Sequence, residues 1–184
     1  LDISGDIDVD GTTNLDVVDI DGAANFAADV TFADGADIIT ATAGTSNFRV
    51  GVNAGNSIES GGNYNTVVGD EAGTSLTTGD NNVALGYNSL ASEDTGSANT
   101  AIGRYALSAL NNDAVSYNTA VGFSAGAALT TGGLNTLVGG LSGDALTIGN
   151  SNVTLGYLAL SRDTTGDRST AIGFQTLANQ NFTS

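Results

Sequence analysis

The chain has 184 residues, of which 26 are Gly, and it contains no Pro, Cys, Met, Trp or His. Twenty acidic residues stand against four Arg and no Lys, so the net charge is −16. The missing His, Cys and Lys exclude a Ser-His-Asp triad, a thiolate nucleophile, a conventional zinc site, a P-loop and a Schiff base. The strong negative charge also argues against nucleic-acid binding, because phosphates must be met by cations. We therefore expect a protein that is not an enzyme.

The first predicted segment, residues 1–46, is acidic and contains ten Asp by position 37. Its short apolar runs end in Asp-Gly pairs, which predicts brief strands closed by turns. We expect an irregular β segment that serves as a shaft, a cap or a joint to another copy or another protein. No apolar run in the chain is long enough to span a bilayer, so we expect no membrane insertion.

A calcium site is an alternative interpretation of one acidic motif in this segment. Asp6, Asp8 and Asp10, followed by Gly11, match the first half of a calcium-binding loop. Val17 stands where the last ligand of that loop should be Glu. Plain strand alternation explains the same spacing without a metal, so both interpretations stay open, and no other cofactor is predicted.

The second predicted domain, residues 47–184, is a repeat array of eight coils. A five-residue unit, Asn-Thr/Val-x-aliphatic-Gly, recurs at spacings of 17 to 19 residues, and a longer echo relates residues 82–87 to residues 152–157. This period is too short for helix-pair repeats, which need about 33 residues, and it suits a β-solenoid coil of two short strands and two turns. Coils would stack about 4.8 Å apart, with Gly at corners and Asn hydrogen-bonded in a ladder. The ladder residues are Asn65, Asn82, Asn99, Asn118, Asn135 and Asn152, and the anchor glycines are Gly69, Gly86, Gly103, Gly122, Gly139, Gly156 and Gly173, with Gly51 ending a weaker first copy.

The short strand of each unit is apolar on both faces, which is typical of a strand buried on both sides. We expect the larger aliphatic face to fill the core and the small-residue face to lie against a sister chain in an obligate homo-oligomer. The predicted core residues are Val68, Leu85, Ile102, Val121, Val138, Leu155 and Ile172, and the predicted interface residues are Ala84, Ala101, Ala120 and Ala171.

The outer turns of the repeat are more polar than its strand. Four aromatic residues, Tyr87, Phe123, Tyr157 and Phe174, directly follow an anchor glycine. They are interpreted either as an exposed ladder for carbohydrate or as packing between coils or subunits. Seven acidic residues are expected on a solvated outer face: Asp70, Asp80, Asp94, Asp113, Asp144, Asp163 and Asp167.

The repeat resembles a known family. Asn99-Thr-Ala-Ile-Gly103, Asn118-Thr-Ala-Val-Gly122 and Ser169-Thr-Ala-Ile-Gly173 are similar to the head repeats of trimeric autotransporter adhesins and to arrays in bacteriophage tail fibres. The resemblance covers about residues 47–184, and the first 30 or so residues look like segments of phage fibres. It implies a left-handed parallel β-roll or β-helix, three chains around an axis, and a location outside the cell or on a virion surface. The adhesin repeat is shorter than the 17-residue unit here.

These observations predict a structural fibre protein, a module of a tail fibre or adhesin that displays outer loops to a glycan or protein receptor. The nearest alternative is a subunit of an extracellular filament, in which copies join end to end through the acidic segment. An enzyme of the tail-spike glycosidase type would need two carboxyl groups, and the glutamates are Glu59, Glu71 and Glu93. Nothing around these three residues predicts an aromatic-lined cleft.

Overall fold

The computed structural model describes residues 43–181. The chain divides into two units, Leu1–Asp37 and Ile38–Ser184, and all described residues belong to the second. The predictions made for residues 1–42, including the calcium candidates Asp6, Asp8 and Asp10, lie outside the described residues. The described strands are β1 (Phe48–Val50), β2 (Thr66–Val68), β3 (Val83–Leu85), β4 (Thr100–Ile102), β5 (Thr119–Val121), β6 (Thr136–Val138), β7 (Val153–Leu155) and β8 (Thr170–Ile172).

The eight strands form one parallel sheet in the order β1 to β8, and each strand pairs with the next one along the chain. The register follows the repeat, since Thr66 pairs with Val83 and Val83 pairs with Thr100. The predicted all-β solenoid with a period of about 17 residues is therefore confirmed. Each coil contains one three-residue strand rather than the two that we expected.

The remaining sides of each coil are built from turns that use left-handed backbone. Twenty non-glycine residues have positive φ, and they fall at three fixed places: five residues before the anchor glycine and two and four residues after it. The backbone N–H four residues after the anchor donates to a carbonyl of the next coil, as Leu90 does to Ala106 at 3.0 Å and Leu107 to Ala125 at 3.1 Å. These turns take the place of the second predicted strand, because their hydrogen bonds join coils without extended backbone.

The faces of the strand are the reverse of those predicted. In the single chain the small residues Ala84, Ala101, Ala120 and Ala171 are 0% exposed and line the interior, so they are core residues and not an oligomer interface. The aliphatic residues assigned to the core point outward instead. Four of them are half-buried, namely Val68, Ile102, Val121 and Val138, while Leu85, Leu155 and Ile172 are exposed.

The reason for this reversal is the narrow interior of the coil. Leucines from the opposite wall, such as Leu107 and Leu110 in the coil of Ala101, already fill the space that faces the strand. Behind the two largest buried strand residues, Val67 and Leu137, the residue six positions later is Gly, namely Gly73 and Gly143. A Cβ on Gly73 would lie 3.1 Å from Cγ1 of Val67. In these two coils a large residue on one wall is matched by Gly on the other, which keeps the interior close-packed.

The predicted asparagine ladder is present. Each ladder Asn is buried, and its Oδ1 accepts a hydrogen bond from the backbone N–H at the start of the next repeat unit, as Asn65 does from Asn82 at 2.9 Å. Except at Asn99, the Nδ2 of each ladder Asn donates to a glycine carbonyl 14 residues later, as Asn65 does to Gly79 at 2.8 Å. The same Oδ1 contacts join the following pairs of residues: Asn47–Asn65, Asn82–Asn99, Asn99–Asn118, Asn118–Asn135, Asn135–Asn152 and Asn152–Ser169.

One coil is two residues longer than most, and it interrupts this pattern. Between Gly103 and Gly122 the chain forms an isolated bridge from Val115 to Ser97 outside the strands. Val115 is 54% exposed there. In this coil Nδ2 of Asn99 donates to the nearby carbonyl of Ser97 at 3.3 Å rather than to a glycine across the coil. The insertion is therefore absorbed as a surface bulge while the Oδ1 ladder continues through it.

Candidate functional site

The outer face of the sheet carries a row of exposed aliphatic side chains. The exposed aliphatic residues Val50, Leu85, Leu155 and Ile172 retain 44 to 60% of their accessible surface in the single chain. The other outward position of each strand holds Thr, Val or Phe, so no outward strand residue is charged. An uncharged strip with exposed aliphatic side chains is typical of a surface that is covered by a partner.

A column of side chains directly after the anchor glycines runs beside this face. It contains the four aromatic residues singled out in the sequence, which are 40 to 70% exposed in the single chain. Tyr157 and Phe174 stack with ring centroids 5.8 Å apart and an interplanar angle of 19°. Gly140 precedes them in the column, and a Cβ there would lie 3.4 Å from Cδ2 of Tyr157. The predicted packing between coils is present for this pair.

Arg104 occupies the same column between Tyr87 and Phe123. Its guanidinium carbon lies 5.5 Å from the ring centroid of Tyr87, 4.5 Å from that of Tyr105 and 5.8 Å from that of Phe123. Tyr87 and Tyr105 meet edge to face at 5.5 Å. Nη2 of Arg104 donates to the hydroxyl of Tyr105 at 3.3 Å. We refer to Tyr87, Arg104, Tyr105 and Phe123 as the Arg104 cluster.

The positions of the aromatic residues alone do not predict the Arg104 cluster, because its central residue is a cation. The anchor-glycine spacing could have found it, since Arg104 follows Gly103 as Tyr87 follows Gly86. Tyr105 has a φ of 62° at its corner, and this turn conformation brings its ring under the guanidinium.

Two carboxylic acids replace leucine inside the solenoid, 70 residues apart. Glu93 is fully buried, and it accepts hydrogen bonds from the backbone N–H of Gly96 at 2.8 Å and of Asn112 at 3.2 Å. Desolvation by burial raises the pKa of Glu93; the nearby charge of Asp94 adds to this rise, and the backbone hydrogen bonds oppose it. No sequence motif predicts this buried acid; its burial follows from its position in the coil, which Leu occupies in neighbouring coils.

Asp163 is the second buried acid, and its position corrects its predicted place on a solvated face. It is 0% exposed, and its Oδ1 accepts from the backbone N–H of Gly166 at 2.8 Å while its Oδ2 has no hydrogen-bond partner. Asp144 is partly buried, and desolvation raises its pKa. Asp80 and Asp167 contribute to structure as well, since each accepts a 2.6 Å bond from a backbone N–H of the preceding coil.

The three glutamates considered for glycoside cleavage lie in different environments. Glu59 is exposed, Glu71 accepts a bond from Nδ2 of Asn53 at 2.8 Å, and Glu93 is enclosed. Within the described range, no three His, Cys, Asp or Glu side chains come together as metal ligands. A cavity of about 280 Å³ between the last two coils is lined by Leu158, Ser161, Arg162, Gln175, Ala178 and Asn179.

No protein-family model, curated protein or solved structure matches the chain. The resemblance to adhesin heads and tail fibres therefore depends on the repeat motifs alone. Residues 43–181 contain no helix of the length and apolarity that crossing a bilayer requires.

Proposed function

We propose that this chain is a structural fibre module that works as a homo-oligomer and displays its outer turns to a receptor outside the cell or on a virion. The observation that carries the proposal is the apolar outer face of the sheet. The solenoid interior is already filled by Ala, Val and Leu side chains. The outward rows of Val, Leu and Ile are therefore not needed to form the core of a single chain. A second copy is the partner that matches this face coil for coil.

Charge distribution supports the same proposal. The chain carries a net charge of −16, yet none of the outward residues of the described strands β1 to β8 is charged. Depletion of charge is the compositional signal of the buried part of a protein interface. Acidic side chains on the other sides of the coil keep the assembly soluble.

The number of chains and the hand of the coil come from the resemblance. Three parallel copies with their sheets around a common axis would cover the outward rows and leave the opposite turns in water. Receptor binding would then gain from multivalency, since three identical surfaces sit on one rigid body.

Solution mass tests the proposal directly. Sedimentation equilibrium or mass photometry of the full chain should give a multiple of the 18.2 kDa chain mass, and a trimer gives three times that value. A well-folded species at the mass of one chain would contradict the proposal.

A filament is the second candidate, because β1 and β8 each have an unpaired edge among the described strands. Such edges are templates for pairing with another chain. Electron microscopy separates the two candidates: rods of fixed length support the fibre module, and filaments of indefinite length support end-to-end assembly.

A further inference from the structure

We propose that the Arg104 cluster binds a carboxylate-bearing sugar of a receptor glycan. The inference rests on the proposed function of receptor attachment, and it names the surface and the ligand class. The ligand is a pyranose with one ring carboxylate, either a uronic acid or a nonulosonic acid, on an otherwise neutral glycan.

The guanidinium of Arg104 is held in place but has free donors. Its central carbon lies 4.5 to 5.8 Å from the ring centroids of Tyr87, Tyr105 and Phe123, which restricts its position. A guanidinium has five N–H donors, and in the described structure Arg104 uses one, toward the Tyr105 hydroxyl. It is exposed and has no ion-pair partner among residues 43–181. A preorganised fork of this kind suits the bidentate recognition of a carboxylate.

The neighbouring rings suit the rest of a sugar. Tyr87 is 40% exposed and Phe123 is 49% exposed, one coil on each side of Arg104. The electron-rich face of an aromatic ring attracts the C–H groups that line one side of a pyranose. The hydroxyls of Tyr87 and Tyr105 can bond to sugar hydroxyls. Arg104 would therefore bind the carboxylate while the aromatic side chains bind the pyranose ring of the same sugar.

The charge of the protein limits the ligand to isolated carboxylates. Residues 43–181 contain ten acidic residues and four Arg, so a dense polyanion would be repelled. At physiological salt this repulsion is screened beyond about 8 Å, and a single carboxylate that reaches Arg104 meets the local cation. A largely neutral glycan with spaced acidic sugars is repelled little by the acidic protein, and it can still bring a single carboxylate to Arg104.

The second half of the solenoid shows that packing of the column does not require the cation. Seventy residues after Tyr87, Arg104 and Tyr105 stand Tyr157, Phe174 and Gln175. Tyr157 and Phe174 stack directly without a guanidinium. Arg104→Phe therefore introduces a ring-on-ring packing that the chain already uses, and it removes the charge and the donors.

The test uses polyacrylamide probes that carry glucuronic acid, N-acetylneuraminic acid or glucose at equal density, read by biolayer interferometry in 0.15 M salt. Wild-type chain should bind at least one acidic probe about tenfold or more tightly than the glucose probe. Arg104→Phe should reduce that binding to the glucose level. Arg104→Lys should retain only part of it, because the fork is lost. Arg162→Gln, which removes an exposed Arg elsewhere, should leave binding unchanged.

Several results would overturn the inference. Equal binding of wild type to acidic and neutral probes, or equal loss in Arg162→Gln and Arg104→Phe, would show that Arg104 is not a carboxylate site. A changed solution mass for Arg104→Phe would make the cluster a subunit contact, and the fibre proposal would survive. Failure of the fibre proposal shows separately, as wild-type chain at the mass of a monomer.

Discussion

The backbone N–H of Asn99 donates a 2.9 Å hydrogen bond to Oδ1 of Asn82, one coil earlier. Nδ2 of Asn82 donates to the carbonyl of Gly96 at 2.9 Å, so one buried amide serves a donor and an acceptor that water cannot reach. The Asn of each repeat thus provides hydrogen-bond partners for buried backbone groups inside the solenoid.

Asn82→Ala should lower the free energy of unfolding by about 2–4 kcal/mol, because it leaves a buried N–H and a buried carbonyl without partners. Chemical denaturation followed by circular dichroism measures the loss. Asn111→Ala is the control, since Asn111 is exposed. Equal stability of the two variants would show that the ladder contributes little.

The second prediction concerns the sizes of the side chains that face each other across the interior of a coil. Val67→Ala should destabilise by about 2 kcal/mol through a cavity, and Gly73→Leu by about 1–3 kcal/mol through overpacking. Together the two changes recreate the pairing of Ala101 with Leu107. The double variant should therefore be at least about 1 kcal/mol more stable than the sum of the single effects predicts. Strict additivity in denaturation experiments would contradict this packing argument.

These two features show how far the sequence could lead. Spacing alone predicted the solenoid and the Asn ladder, because both depend on the same residue type at the same phase. It could not tell the inside of the strand from the outside, since Ala101 and Ile102 are both apolar. That choice depends on how much space Leu107 and Leu110 leave, which only the closed coil defines. The Arg104 cluster likewise depends on the turn at Tyr105. The φ of 62° at this residue is not predicted by the local sequence.

The anchor glycines should tolerate no side chain. Gly86 has a φ of 127°, and a Cβ there would lie 2.8 Å from the carbonyl carbon of Gly103. Gly86→Ala should therefore cost about 3 kcal/mol or more through backbone strain and collision. Gly140→Ala is the matched control, because its nearest contact is 3.4 Å from Tyr157, and its effect should stay within about 1 kcal/mol. Thermal unfolding of both variants makes the comparison.

The buried acid Glu93 should make stability depend on pH. Its pKa is raised in the folded state above the ordinary value of 4.5, so the folded chain binds this proton more tightly than the unfolded chain. The contribution to stability is thus fully present below pH 4.5 and is lost as pH rises through the raised pKa. Relative to Glu93→Gln, wild type should become more stable as pH falls in urea titrations. Parallel stability curves for the two proteins would contradict this assignment.

The outward aliphatic row should govern assembly rather than folding. Ile102→Asp places a charge on the apolar sheet face, where burial against a second copy would leave it unpaired. We expect the solution mass to fall toward 18.2 kDa while the β-sheet circular dichroism persists. Leu134→Asp is the control, since Leu134 is 60% exposed and lies outside the sheet. An unchanged mass for Ile102→Asp would remove this face from the interface.

The 19-residue coil sits between two halves that echo each other at 70 residues. Since every coil offers its neighbour the same backbone groups, duplicating a four-coil half inserts without new core chemistry and extends the rod by about 19 Å. The number of repeats in the gene then sets the length of the solenoid. Recombination between repeats can lengthen or shorten it in steps of about 4.8 Å, one coil at a time.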